Sequence, residues 1–300
     1  MYENILITLD GSELAEVALP YAEELSSKLK TEVILFQAVP RAYHIYAVEG
    51  NTRIPYTDEE MKPLKASAED YLKRVADGLK DKGITTKTEV RVGTAADEIV
   101  NLADETNIGL ITMSTHGRSG ISRWTLGSVA DKVVRGTKQP VFLIRAKGAH
   151  PNVREKDILD KAVVPLDGSK ESEAVIPYIE ELAAKFKVEV TLYHMLSLDA
   201  NIYSEVQFTQ TESLRASAKD YIGRVAAQLE QKGIVVMAKF SEVTKGAEAE
   251  EIINLADKTQ ADLVAMSTHG RSGISRWFLG SVADRVLHEG NTPLLLVRPS

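Results

Sequence analysis

The chain has 300 residues, 44% hydrophobic and 26% charged, an ordinary globular composition that allows two well-packed cores at about 100–200 residues per domain. A formal charge of −7 argues against a protein whose main work is coating nucleic acid, so any anion it binds must be held by a local site. There is no cysteine, which excludes disulfides, thiolate metal ligands and cysteine nucleophiles; there is also no basic leader and no run of ~18 apolar residues, and the expectation is a soluble cytoplasmic protein without membrane contact.

In chain order, Asn4 to Asp10 (NILITLD) reads as a buried parallel strand that ends in an Asp-Gly-Ser turn and a helix N-cap. Ala15, Ala18, Leu19, Ala22 and Leu25 recur at helical spacing and predict a helix over 13–28, kinked by its interior Pro20. A strand is expected over 31–39. The loop 40–57 follows, with Tyr43, His44, Tyr46, Arg53 and Tyr56, and reads as a surface segment or a cover for a ligand or partner. Then come a helix over 58–82, a strand over 85–91, a helix over 95–105, a strand over 108–113, a glycine-bearing loop, a helix from near Gly127 and a strand over 140–145. Residues 147–160 are rich in charge, contain proline and lack periodicity, which marks a linker between domains at 1–146 and 161–300.

The same order then recurs. Lys161 to Asp167 (KAVVPLD) opens it, followed by a helix over 170–186 with Pro177, a strand over 188–196 and a loop with Tyr203 and Phe208. A helix over 210–232, a strand over 234–241, a helix over 246–258, a strand over 262–266, a loop, a helix from near Gly280 and a strand over 293–298 complete it. Alternating strands and helices predict an α/β fold with two tandem, doubly wound, Rossmann-like domains, each a five-stranded parallel sheet with helices on both faces.

The repeat is sharpest in one segment. MSTHGRSGISRWTLGSVADKVV, starting at Met113, returns as MSTHGRSGISRWFLGSVADRVL from Met266, with differences only at Thr125/Phe278, Lys132/Arg285 and Val134/Leu287. In open parallel sheets the ligand crevice lies at the carboxyl ends of the strands, which is where this loop and the Asp-Gly-Ser turn fall. Small residues let backbone N–H groups approach phosphate oxygens, and a helix beginning at Gly127-Ser128 or Gly280-Ser281 adds unpaired donors and the positive end of its dipole. Arg118, Arg123, Arg271 and Arg276 supply countercharge or stand solvated. Asp10 and Asp167 accept from a ribose diol or cap the following turn. Neither G-x-x-x-x-G-K-[ST] nor G-x-G-x-x-G is present. His116 and His269 invite acid–base chemistry, but no nucleophile or orienting partner accompanies them, so a backbone or local hydrogen-bonding role is preferred. His44, His150, His194 and His288 have no ligand spacing, and no metal site is expected. Trp124 and Trp277 read as packing residues before stacking platforms.

On these residues both halves resemble the universal stress protein family, over essentially the whole chain outside the linker. ATP-binding members carry Gly-x-x-Gly-x9-Gly-Ser/Thr. Here Ser114-Thr115-His116-Gly117 is followed nine residues on by Gly127-Ser128, and Ser267-Thr268-His269-Gly270 by Gly280-Ser281. The resemblance implies an adenine nucleotide alpha hydrolase-like fold and a site for ATP, with or without Mg2+, in each half. Gly117, Gly127, Ser128, Gly270, Gly280 and Ser281 would contact phosphates, Asp10 and Asp167 would hold the ribose, and Thr8, Ala38, Pro165 and Met195 would lie near adenine. Met113, Thr115, His116, Arg118 and Val129, with Met266, Thr268, His269, Arg271 and Val282, complete the implied set.

The resemblance also implies pairing of the two halves through their last strands; a homodimer and an unidentified protein partner remain open expectations. One departure stands out: serine occupies the first motif position at 114 and 267. A serine there would weaken binding if the position needs positive φ or very close phosphate approach; retained binding is the expectation, since the other motif positions are intact. The functional reading is a nucleotide-dependent stress-response module. A slow ATPase or nucleotidyl-transfer enzyme, or a scaffold with degenerate sites, is the alternative.

Overall fold

The computed structural model describes residues 1–46, 52–116, 126–145, 158–198, 205–270 and 279–299. The first repeat runs β1 (Asn4–Leu9), α1 (Glu13–Glu16), α2 (Leu19–Leu29), β2 (Glu32–Val39), β3 (Tyr43–Tyr46), β4 (Thr52–Pro55), α3 (Asp58–Lys80), β5 (Thr86–Val92), α4 (Ala95–Glu105), β6 (Leu110–Ser114), α5 (Ser128–Gly136) and β7 (Val141–Ile144). The second runs β8 (Lys161–Leu166), α6 (Lys170–Glu173), α7 (Ile176–Phe186), β9 (Glu189–Leu198), α8 (Glu205–Glu230), β10 (Val236–Thr244), α9 (Glu248–Thr259), β11 (Leu263–Ser267), α10 (Ser281–Glu289) and β12 (Leu294–Val297).

Two compact units result, one containing β1 to α5 and the other β7 to β12. In the first the strand order is β5-β2-β1-β6, and all three pairings are parallel, with Ile7 opposite Leu35 on one side and Thr112 on the other. In the second, β10-β9-β8-β11-β12 are parallel neighbours, and β7 lies antiparallel beside β12 with Phe142 opposite Leu295. The last strand of the first repeat thus packs within the second unit. Central strands are apolar on both faces because helices cover both: Ile5, Leu6, Ile7, Leu110 and Ile111 are all buried, as are Val163, Val164, Leu263 and Val264. In each sheet the first strand of the repeat lies between its second and its fourth, with β1 between β2 and β6 and β8 between β9 and β11. The chain winds outward in both directions from there, which opens a crevice at the carboxyl ends of these strands.

Two expectations change. The helix over 13–28 is broken into α1 and α2, and Pro20 stands in the first turn of α2, where its missing N–H has no helical partner to lose. Pro177 sits likewise at the start of α7. The loop 40–57 contains the antiparallel pair β3–β4, with His44 opposite Ile54. It is tied down by Tyr56 N–H donating to the Ala42 carbonyl at 2.9 Å and by His44 stacking on Tyr56 at 4.5 Å.

Candidate functional site

At the carboxyl ends of β1, β2 and β6 lies a cavity of about 230 Å³. Thr8, Asp10, Ala38, Met113, Ser114, Thr115, His116, Gly127, Ser128 and Val129 all line it, joined by Ala15, Phe36, Ala95 and Ile99. The second unit has a cavity of about 440 Å³ in the corresponding crevice, lined by Pro165, Asp167, Met195, Met266, Ser267, Thr268, His269, Gly270, Gly280, Ser281 and Val282. Residues far apart in each repeat therefore meet in one place because the sheet order brings their strand ends together. Gly117, Arg118, Arg123, Trp124, Arg271, Arg276 and Trp277 lie outside the described residues.

Each wall is set by local chemistry. The Asp10 Oδ1 accepts from the Ser12 N–H at 2.9 Å and from its hydroxyl at 2.6 Å, and Asp167 does the same for Ser169 at 2.9 and 2.6 Å. This is the turn chemistry expected of Asp before Gly-Ser, and it fixes the carboxylate at the cavity rim. Gly11 and Gly168, next in the turn, adopt φ of 81° and 86°, which a side chain would resist. Ser114 and Ser267 end their strands, buried, and neither has positive φ. Each hydroxyl accepts from the backbone N–H two residues on, at His116 and His269, at 3.3 Å.

His116 Nδ1 pairs with the Thr115 hydroxyl at 3.0 Å, and His269 Nδ1 with the Thr268 hydroxyl at 2.8 Å. The local hydrogen bond preferred from sequence is therefore present in both copies. The opposite ring nitrogen, Nε2, is buried in each and has no partner among the described residues. Such a group is costly to leave unmade, and the same buried nitrogen recurs in both copies.

At the helix starts, Gly127 and Gly280 are the N-caps of α5 and α10, and no side chain caps either helix. Ser12, Thr57 and Ser169 cap α1, α3 and α6, whereas the N-cap residues of α2, α4, α7 and α9 make no side-chain cap bond either. Among the described residues no side chain accepts from the first N–H groups of α5 and α10, and the dipole there favours an anion. Gly127 and Gly280 are needed for close approach rather than unusual φ. Each donates to the carbonyl of Thr115 or Thr268, at 2.9 and 2.8 Å, and a Cβ would stand 2.7 or 3.1 Å from that same oxygen. A Cβ at Gly270 would collide with the Asp167 carboxylate, so the loop at Gly270 and the strand-end aspartate are packed together in the second unit.

Sequence reasoning missed the far end of the second cavity, formed by Ser197, Lys245 and Glu248. Glu248 Oε1 accepts from the Ser197 hydroxyl at 2.6 Å and Oε2 from the Gly246 N–H at 2.8 Å. Burial pushes its carboxyl up, but these bonds, its own N–H and the nearby Arg285 charge outweigh burial and hold it below the ordinary value. The first cavity has Ala95 at the equivalent helix start. The available signal was the difference between Ala95 and Glu248 in the similar helix starts AADEI (95–99) and EAEEI (248–252), which gains meaning only once β10 is known to flank β9. Among the described residues no cluster of three or more His, Asp or Glu can hold a metal ion, and no helix is long and apolar enough to cross a membrane.

These paired crevices belong to a known class: the sequence profile of the universal stress protein family matches residues 1–145 and 159–298, and the chain belongs to that family. A universal stress protein of Methanocaldococcus jannaschii is 28% identical over 159 residues, covering 50% of this chain and 98% of its own. One of Mycolicibacterium smegmatis is 23% identical over 299 residues, 99% of this chain and 97% of its own, and so is similar along both halves. The fold is shared with the crystal structure of a universal stress protein from Archaeoglobus fulgidus, with a TM-score of 0.72, 18% identity and full coverage of both chains.

Proposed function

We propose that each half binds an adenine nucleotide, ATP, in its crevice, and that the chain works as a nucleotide-dependent stress-response module whose occupancy orders the loops and changes the surface offered to a partner. The observation that carries this reading is duplicated geometry: twice, a close-packed glycine at a helix start, the serine that opens the helix and a strand-end aspartate line one cavity. That combination suits phosphates at the helix start and a ribose beside the aspartate. Serine at 114 and 267 does not weigh against it, since both lie in strands and use their hydroxyls locally. Magnesium enters with the nucleotide, held mainly by phosphates and water.

Calorimetric titration of the whole chain with Mg-ATP tests the reading. Two sites per chain are expected, and ATP at about 100 times Kd should contribute ~2.7 kcal/mol of stability at each site. Ser128→Glu and Ser281→Glu should each remove one site, because an added carboxylate repels phosphate while remaining compatible with a helix first turn. No heat and no melting shift at millimolar ATP would overturn it. ADP formation lost in the double variant would favour the slow ATPase instead.

A further inference from the structure

We propose that Glu248 makes the second cavity select 6-aminopurine nucleotides over 6-oxopurine ones, a selection the first cavity does not make; this deepens, and rests on, the nucleotide reading above. The strand order β10-β9-β8-β11 places the phosphate-side loop at one end of the crevice and the start of α9 at the other, three strand spacings or roughly 14 Å away. With phosphates at α10 and ribose at Asp167, the base extends toward β9 and β10, where Met195, Ser197 and Glu248 line the wall.

Glu248 is held rather than loose. Each of its oxygens already accepts one bond, from Ser197 and from the Gly246 N–H, and Gly246 reaches its position with φ of 94°, in the left-handed region. Each carboxylate oxygen retains acceptor capacity beyond that one bond. The group is an anion, kept below the ordinary carboxylate range by its donors despite burial. An acceptor of this kind pairs with an exocyclic amine and opposes a carbonyl oxygen; adenine carries the first at C6, and guanine or hypoxanthine the second, in the same docked pose. In the first cavity the corresponding end is formed by Phe36, Ala38, Ala95 and Ile99, which pack against a purine without reading its edge.

The test compares ATP with inosine triphosphate, which has a carbonyl at C6 and a proton on N1 and lacks the 2-amino group that would let guanine offer another edge; a carboxylate that took the N1–H in place of the amine would bind inosine triphosphate at least as well and overturn the assignment. Calorimetry on the full chain carrying Ser128→Glu reads the second cavity alone, and on Ser281→Glu the first. The expected preference for ATP is about tenfold or more at the second cavity and near unity at the first. Glu248→Ala should bring the second ratio near unity while ATP still binds, and Ala95→Glu should raise the first. A second-cavity ratio unmoved by Glu248→Ala, or moved by Lys245→Met in its place, overturns the assignment but leaves nucleotide binding standing. No nucleotide at either cavity removes both readings together.

Discussion

Gly127 and Gly280 occupy equivalent positions yet tolerate a methyl group differently. A Cβ would stand 2.7 Å from the Thr115 carbonyl in one and 3.1 Å from the Thr268 carbonyl in the other, and φ is ordinary in both, at −61° and −60°. Backbone cannot yield as a flexible side chain does, so Gly127→Ala should cost about 1–3 kcal/mol and Gly280→Ala distinctly less, as read from urea midpoints. At the first motif position the reverse substitution is informative. Ser114→Gly removes the acceptor for the His116 N–H and loosens a buried strand end, with no positive φ to relieve. It should lower stability by roughly 0.5–1 kcal/mol and should not tighten ATP binding in a calorimetric titration. Tighter binding on restoring glycine would instead indicate a degenerate site.

Among the elements, α3 shows how capping joins a hairpin to a helix. Thr57 and Glu60 form a reciprocal capping box, and Glu60 Oε1 also meets His44 Nε2 of β3 at 2.7 Å. Thr57→Ala should destabilise by about 1 kcal/mol in thermal or urea unfolding. The Thr57 backbone N–H first, then its hydroxyl and His44, hold the Glu60 carboxyl below its ordinary value. Its folded pKa lies below its unfolded one, so the associated stability is complete above the ordinary carboxylate value and is lost as pH falls through the folded value. Between about pH 6 and about pH 3, wild type should therefore lose more stability than Glu60→Gln, measured by urea midpoints at both ends. At α5 and α10, whose N-caps are glycines, the first residues of the helix line a cavity, whereas the α3 start is closed by its own box.

For the molecule as a whole, duplication and compactness do not divide the chain at the same place. β7 comes from the first repeat but pairs antiparallel with β12, and the strand-end Arg145 is buried behind it. Its guanidinium donates to the Leu287 carbonyl at 2.6 Å and to the Val286 carbonyl at 3.3 Å, closing the last turn of α10. Val286 keeps a second donor in the Gly290 N–H, so Leu287 depends more on the arginine. Burial pulls the Arg145 pKa down to about 10, because the charged form loses its hydration there. Arg145→Ala removes the bonds and leaves the carbonyl behind, so a loss of about 1.5–3 kcal/mol is expected in urea unfolding, without loss of the binding sites in a nucleotide titration.

The sequence by itself determined the duplication, the α/β class and the order of elements, because apolar runs, helical spacing and turn residues act over a few neighbours and recur in both halves. It also picked out the strand-end aspartates, the serine-histidine-glycine loop and the helix starts, since each is a local motif at a strand's carboxyl end. Some of the rest was local but ambiguous: Pro20 suits a kinked helix as well as a new first turn, and Tyr43 to Tyr46 make a strand only once β4 pairs with it. Only the tertiary structure decided which distant pieces meet. Strand order set Glu248 and Ser197 across from the loop at Gly270, and antiparallel pairing of β7 with β12 brought Arg145 to the end of α10. Both outcomes depend on which strands become neighbours, and that is fixed by burying two apolar faces at once, a nonlocal condition that no single stretch of residues carries.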